Sequence, residues 1–368
     1  MSEIEIEEDK GVLEEVNSGD ITNPFSTKDI KITPATILLP SLINRLKHGE
    51  IEVPEFQRNS DLWTPSVMSR LIESILLKLP LPIFYFDVSN PDKWQVVDGL
   101  QRLSTIRRFF VDENLTLKNL QFLTKLNGSS YKDLDRTFQR TIDDTAFITY
   151  QIEAQTPKEV RYSIFNRINT GGTPLNAQEI RQALNQGEGF QFLKDVCENE
   201  SFKSIVGVSS KRMLDRELTL RFVAFQLIDY RNFNSMREFL DEAMEMLAKQ
   251  PQEKLEKLRK DFLETLLFSE KILGKGHRFS RSIANSSNTS RLNQSLFDVV
   301  MVCFNEIEDQ SVFLSKNELF KTKFIKLLES ENGEFLNSIT LGTSAKSAIE
   351  TRQRIIRNLI QEVLNEEG

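Results

Sequence analysis

Trp94-Gln95-Val96-Val97-Asp98-Gly99-Leu100-Gln101-Arg102-Leu103-Ser104-Thr105 passes from a strand pattern to a helix pattern across one glycine. Trp94 to Val97 has the aromatic and β-branched content of a strand, and Leu103, Ile106, Phe109 and Phe110 recur behind it at helical spacing. A strand feeding directly into a helix predicts a domain of mixed α and β structure. A glycine at such a turn lets backbone come close to a ligand, while the free amides of the first helical turn and the helix dipole favour negative charge. The turn is therefore a candidate phosphate cradle. Gly99 and the amides after it would hold the anion, Arg102 would add a two-pronged donor, and Gln101 would donate or accept. Asp98 would hold a metal ion or orient water. Plain turn chemistry accounts for the same residues, so the flanking segments carry the decision.

Upstream, residues 1–30 are acidic, lack apolar periodicity and read as an arm, with structure beginning near Ile32. Ile51 to Val53 is a short strand. Thr64 and Pro65 are an N-cap and first-turn pair, opening a helix with Val67, Met68, Leu71, Ile72, Ile75 and Leu76 on one face. Ile83 to Val88 is nearly all apolar, as a strand covered on both faces is. Ile148, Tyr150 and Ile152 alternate with polar residues, which predicts a half-exposed strand. Thr156 with Glu159, and Asn176 with Glu179, are capping boxes that start helices. Beyond residue 186 the segments Glu217 to Tyr230, Met236 to Ala248, Glu253 to Leu273, Gln294 to Ile307 and Ala348 to Leu364 are helical in period. The expected organisation is α+β over 31–186 and all-α over 187–368.

The 368 residues are 39% apolar and 27% charged, which excludes a disordered chain, a disulfide miniprotein and a collagen-like fibre. The longest apolar candidate, Ile75 to Phe86, is interrupted by Lys78, Pro80 and Pro82, so no segment is expected to span a bilayer. An acidic N-terminus is unlike a signal peptide, and two cysteines, Cys197 and Cys303, suit a reducing compartment. A soluble cytoplasmic protein is expected, with both thiols as small core residues. His48 and His277 are the only histidines, too few for His-Asn-His nucleases, zinc hydrolases or most Ser-His triads. His48 reads as a helix-end residue and His277 as a loop residue. The net charge of −7 resides in residues 1–30, which hold nine acids and two lysines; the rest is neutral. Local basic patches remain open to it.

Two further segments complete a pattern. Pro54-Glu55-Phe56-Gln57-Arg58, with Trp63 after it, places an acid, an amide and a guanidinium behind a short strand. Phe165-Asn166-Arg167-Ile168-Asn169-Thr170-Gly171-Gly172 places two amides before a Gly-Gly turn. In order and spacing, Pro54 to Arg58, Leu71 to Pro82, Asp98 to Arg102 and Asn166 to Arg181 resemble the N-terminal domain of GmrSD-type restriction enzymes. The resemblance covers about Ile51 to Leu184 and continues more weakly through Lys211 to Phe222. It implies a ParB/sulfiredoxin-like fold with a small mixed sheet, followed here by the helical domain. One departure is Leu100, where the family's Asp-Gly-Gln-Gln-Arg signature has glutamine. Another is the shortage of histidines for the His-Asn-His nuclease domain that many relatives carry.

The resemblance implies a nucleoside-triphosphate-binding and hydrolysing component of a prokaryotic DNA restriction or anti-phage system, with Mg2+ as companion ion. Gln57, Arg58, Gly99, Gln101, Asn166 and Asn169 would bind nucleotide, and Asp98, Arg102 and Glu55 would act in catalysis, Asp98 also as metal ligand. A direct metal-dependent endonuclease and a non-catalytic nucleotide-switched module are the alternatives. Asn166 and Asn169 also suit turn-capping, and Arg181 an ordinary helix-surface charge. Lys271, Lys275, Arg278, Arg281 and Arg291 run without an acid from Glu270 to Asp298, around a Ser/Asn-rich loop at Ser280 to Ser290. They would track DNA phosphates, with Arg278, Arg281 and Arg291 leading, or form a solvated basic loop. Expected partners are nucleotide, DNA and a separate nuclease or effector chain, with a homo-oligomer also open.

Overall fold

The computed structural model describes residues 27–52, 63–168, 176–185, 187–284, 291–330 and 333–366. The chain divides into compact units between Asn176 and Ala177, ahead of the boundary expected after residue 186.

In the first unit β1 (Ile32–Leu38), β2 (Ile51–Glu52), β3 (Phe84–Asp87), β4 (Trp94–Asp98) and β5 (Ala146–Ile152) form one mixed sheet in the order β1-β5-β3-β4-β2. β1 is antiparallel to β5 and β3 to β4, whereas β3–β5 and β2–β4 are parallel pairs. The helices are α1 (Leu39–Lys47), α2 (Pro65–Leu76), α3 (Leu100–Phe110), α4 (Arg136–Asp144) and α5 (Lys158–Ile168). β3 is central, which explains its apolar run: Phe84 and Phe86 are fully buried, in one core with Leu42, Ile72, Ile106 and Phe109. Thr64 caps α2 by accepting from Val67 N at 3.4 Å, and Pro65 takes the first turn as expected. Val67 itself is exposed, on the outer side of that turn, and not with the buried Met68, Leu71, Ile72 and Ile75.

One strand goes beyond the sequence reading and the facing of another is corrected. β1, which lacks a strong alternation, is an edge strand, where the missing N–H of Pro34 does little harm. In β5 the alternation would bury Ile148, yet Ile148 is 58% exposed while Phe147 and Thr149 face the core. Thr149 is admitted because its hydroxyl donates to Ala35 O at 3.1 Å, and Phe147 packs edge-on against Phe84.

The second unit is helical: α6 (Ala177–Leu184), α7 (Glu188–Cys197), α8 (Glu200–Ile205), α9 (Leu214–Leu227), α10 (Met236–Leu247), α11 (Gln252–Leu273), α12 (Gln294–Asn305), α13 (Gln310–Ser315), α14 (Asn317–Glu329), α15 (Glu334–Ser338) and α16 (Lys346–Asn365). Phe222, Phe262 and Phe297 from α9, α11 and α12 interlock at its centre. Cys197 and Cys303 are core residues, and burial pushes the Cys303 thiol up to about 12. Among the described residues no helix is long and apolar enough to cross a membrane. Arg181 is not a surface charge: it is 2% exposed, with Nε donating to Asp241 at 2.6 Å and Nη1 to Gln178 at 3.1 Å.

His277 lies in the turn after α11, but it is buried. Its Nδ1 accepts from Phe279 N at 3.0 Å, and Nε2 lies 3.4 Å from Ser269 Oγ. Burial pushes its pKa down to about 4. Between pH 6.5 and about 4 the unfolded chain therefore binds a proton that the folded one refuses, so stability falls as pH falls through that window. At pH 5 the loss relative to pH 7 should be about 2 kcal/mol. Urea midpoints of the wild type and His277→Phe should converge on acidification, and a wild type flat from pH 7 to 5 contradicts the account.

Candidate functional site

β2 pairs with β4 through Ile51 opposite Trp94 and Glu52 opposite Gln95, and the two strands run in the same direction. Their C-terminal ends therefore reach one edge of the sheet, the place where open sheets with parallel strands commonly hold ligands. At that edge β4 ends in Asp98, and Gly99 turns the chain into α3 with φ 99° and ψ 13°. This left-handed geometry suits glycine, and the space agrees, since a Cβ on Gly99 would stand 2.4 Å from Phe84 Cδ1. The glycine thus has a packing reason independent of any ligand. As the N-cap residue Gly99 has no side chain to offer the first-turn amides of α3, whose N-terminal end faces this edge.

Arg102, one turn into α3, is 8% exposed. Its guanidinium lies over the Phe84 ring, 4.4 Å from the centroid, and Nη2 donates to Asp98 Oδ2 at 2.8 Å and to Ile83 O at 3.2 Å. Nη1 donates to the carbonyl of Pro82. Pro80 and Pro82 keep the approach to β3 out of the ladder, so its carbonyls need such a donor. Burial lowers the Arg102 pKa and Asp98 opposes that shift. Arg102 is therefore a tether between α3 and the start of β3. Leu100 packs at the margin of the hydrophobic core, which suits an apolar residue at this position.

Gln101 is half-buried in the same turn. Asp98 keeps about a third of its side chain exposed, so the oxygen not held by Arg102 can meet a ligand. Among the described residues no three His, Cys, Asp or Glu side chains gather as a metal-ligand set. Glu55, Gln57, Arg58 and Asn169 lie outside the described residues; Asn166 falls in α5, but its side chain lies outside them too. At the other end of β3 the buried Asp87 meets Arg161 at 3.3 Å, and Arg161 also donates to Ser89 Oγ at 2.8 Å. The lone acid within the run Ile83 to Val88 was the signal for that cluster, because a charge in a central strand needs a partner.

The family model described as GmrSD restriction endonuclease, N-terminal domain, matches residues 39–185. Neither the curated proteins nor the solved structures return a match to the chain. The match spans every strand of the sheet but β1, the whole Asp98–Arg102 turn and the segments on either side of it. The N-terminal region of the chain, residues 39–185, thus belongs to the GmrSD restriction endonuclease N-terminal domain family.

Proposed function

We propose that the chain binds and hydrolyses a nucleoside triphosphate as a cytoplasmic component of a prokaryotic DNA restriction or anti-phage system, on a fold of ParB/sulfiredoxin type. The carrying observation is the shared edge of β2 and β4, where a left-handed glycine, with no capping side chain of its own, opens a helix. Phosphate oxygens are held there by first-turn amides of α3. Glu55, Gln57 and Arg58 follow β2 closely in sequence. Arg58 takes the role of neutralising charge on the transferred group, because the donors of Arg102 are already engaged. Magnesium is usually bound through one or two carboxylates plus substrate phosphates and water, a demand that Asp98 can meet from this chain. Asn166 and Asn169 are assigned to the nucleotide as well.

Thermal shift with magnesium and each triphosphate tests the reading. At 100-fold excess over Kd the stabilisation should be about 2.7 kcal/mol. Arg58→Ala should remove most of the shift while leaving the ligand-free melting temperature unchanged. Arg102→Ala is the poorer probe, since it breaks the α3 tether. A wild type that melts identically with and without every triphosphate ends the proposal.

A further inference from the structure

We infer that the turn after α11 and the adjoining side of α14 form a docking surface for the sugar-phosphate backbone of duplex DNA. Three stretches of chain supply it. Lys271 lies in the last turn of α11, Lys275 and Arg278 sit in the turn that follows, and Lys321 comes from α14. Asn317 Nδ2 at the start of α14 donates to the Lys271 carbonyl at 3.3 Å. One turn on, Lys321 Nζ stands 3.7 Å from where a Cβ on Gly274 would be. The two lysines therefore flank the same turn. None of these four cations has an ion-pair partner among the described residues. Two nearby lysines differ: Lys323 on α14 bridges to Glu362 and Glu366, and Lys316, just before α14, donates to the carbonyls of Leu364 and Glu366.

Cations at a helix C-terminus also neutralise its last carbonyls. That would account for Lys271 and Lys275 but not for Lys321 or Arg278. The turn, moreover, is not the loose loop its composition suggests. Phe279 and Ser280 are buried beside His277, and Phe279 stacks edge-on against Phe297 at 4.8 Å. Arg278 and Phe279 both hold φ near 47°, a left-handed geometry that costs about 1–2 kcal/mol per residue and persists only where packing enforces it. Arg278 is thus presented on a rigid support, which lowers the ordering cost of binding. Arg281 and Arg291 already hold partners of their own, so the leading positions pass to Lys271, Lys275 and Lys321 beside Arg278. Four half-exposed or exposed cations spread over an open turn suit an extended chain of phosphates better than one enclosed anion.

The choice of DNA rests on the restriction reading above, but the measurement needs no nucleotide. The full chain is titrated with a short fluorescent duplex across about 50 to 200 mM salt. With one phosphate per cation the plot of log K against log salt should slope by about −3.6. Lys321→Ala should flatten it by about 0.9, and the fourfold Ala variant at 271, 275, 278 and 321 should remove nearly all of it. The fourfold variant should keep the wild-type thermal shift with triphosphate. Failure of the wild type to bind duplex, an unchanged slope in the fourfold variant, or inorganic polyphosphate competing as well as DNA overturns the surface. A normal slope without any triphosphate shift retires the nucleotide proposal and leaves the surface standing.

Discussion

Asp298→Ala should lower the stability of the helical unit by about 3–5 kcal/mol, the usual result of removing one partner from a buried ion pair. Asp298 is 1% exposed and receives a two-pronged contact from Arg221, Nε to Oδ1 at 2.9 Å and Nη2 to Oδ2 at 2.6 Å. Arg352, also buried, stands 3.7 Å away, with Nη1 donating to Ser338 O and Thr343 O. Burial opposes the Arg221 charge, but Asp298 with help from Glu217 outweighs it, so the Arg221 pKa lies above its usual value. Without this carboxylate two guanidiniums share the interior, with only Glu217, 3.7 Å from Arg221, left to offset them. The urea midpoint should fall with an unchanged slope. Arg221→Met with Asp298→Leu should recover much of the loss, because an apolar pair of similar volume replaces a buried ion pair at little cost. A single-variant loss below about 1 kcal/mol, the value of a surface pair, would contradict the assignment.

Glu73→Ala should cost the sheet unit a similar amount, about 3–5 kcal/mol, because one carboxylate satisfies three amides. Glu73 Oε1 accepts from Phe122 N and Leu123 N at 2.7 Å each, and Oε2 accepts from Gln121 N at 3.0 Å. Burial raises the pKa of this carboxyl, but the three amides together bring it below its usual value. The unfolded carboxyl titrates near about 4.3. Its contribution is therefore complete above that pH and is lost as pH falls through the lower folded value. The stability difference between the wild type and Glu73→Gln should shrink below about pH 4.3, at the acid end of the His277 window and beyond it. A difference constant from pH 7 to 3 sinks the account.

Periodicity located most elements because burial and period agree in them. α10 and α11 run Met236–Leu247 and Gln252–Leu273, within a residue of the expected starts. What stayed hidden depends on partners distant in sequence. Nothing within Thr149 announces that Ala35 will accept its hydroxyl hydrogen and allow it into the core. Arg102 reads as a phosphate ligand from its place behind Gly99, while the carbonyls it holds belong to Pro82 and Ile83. Arg181 reads as a surface charge until Asp241 is placed beside it, and nothing within Asp298 announces the buried Arg221. Lys321 lies far outside the basic segment, and only the packing of α14 on α11 brings it to Gly274.

The sheet sets a timetable for the nascent chain. β1 finds its hydrogen-bonding partner only in β5, and Ala35 and Thr149 are separated by 114 positions. At a synthesis rate of about 5–20 residues per second, β1 is made roughly 6–23 s before residues 146–152. During that interval an apolar strand has both edges bare, the condition in which chains pair with the wrong neighbour. Pro34, in the middle of β1, removes one donor from any ladder formed meanwhile and breaks the run from Ile32 to Leu38. The residue that weakens β1 as a strand in sequence also protects it while it waits.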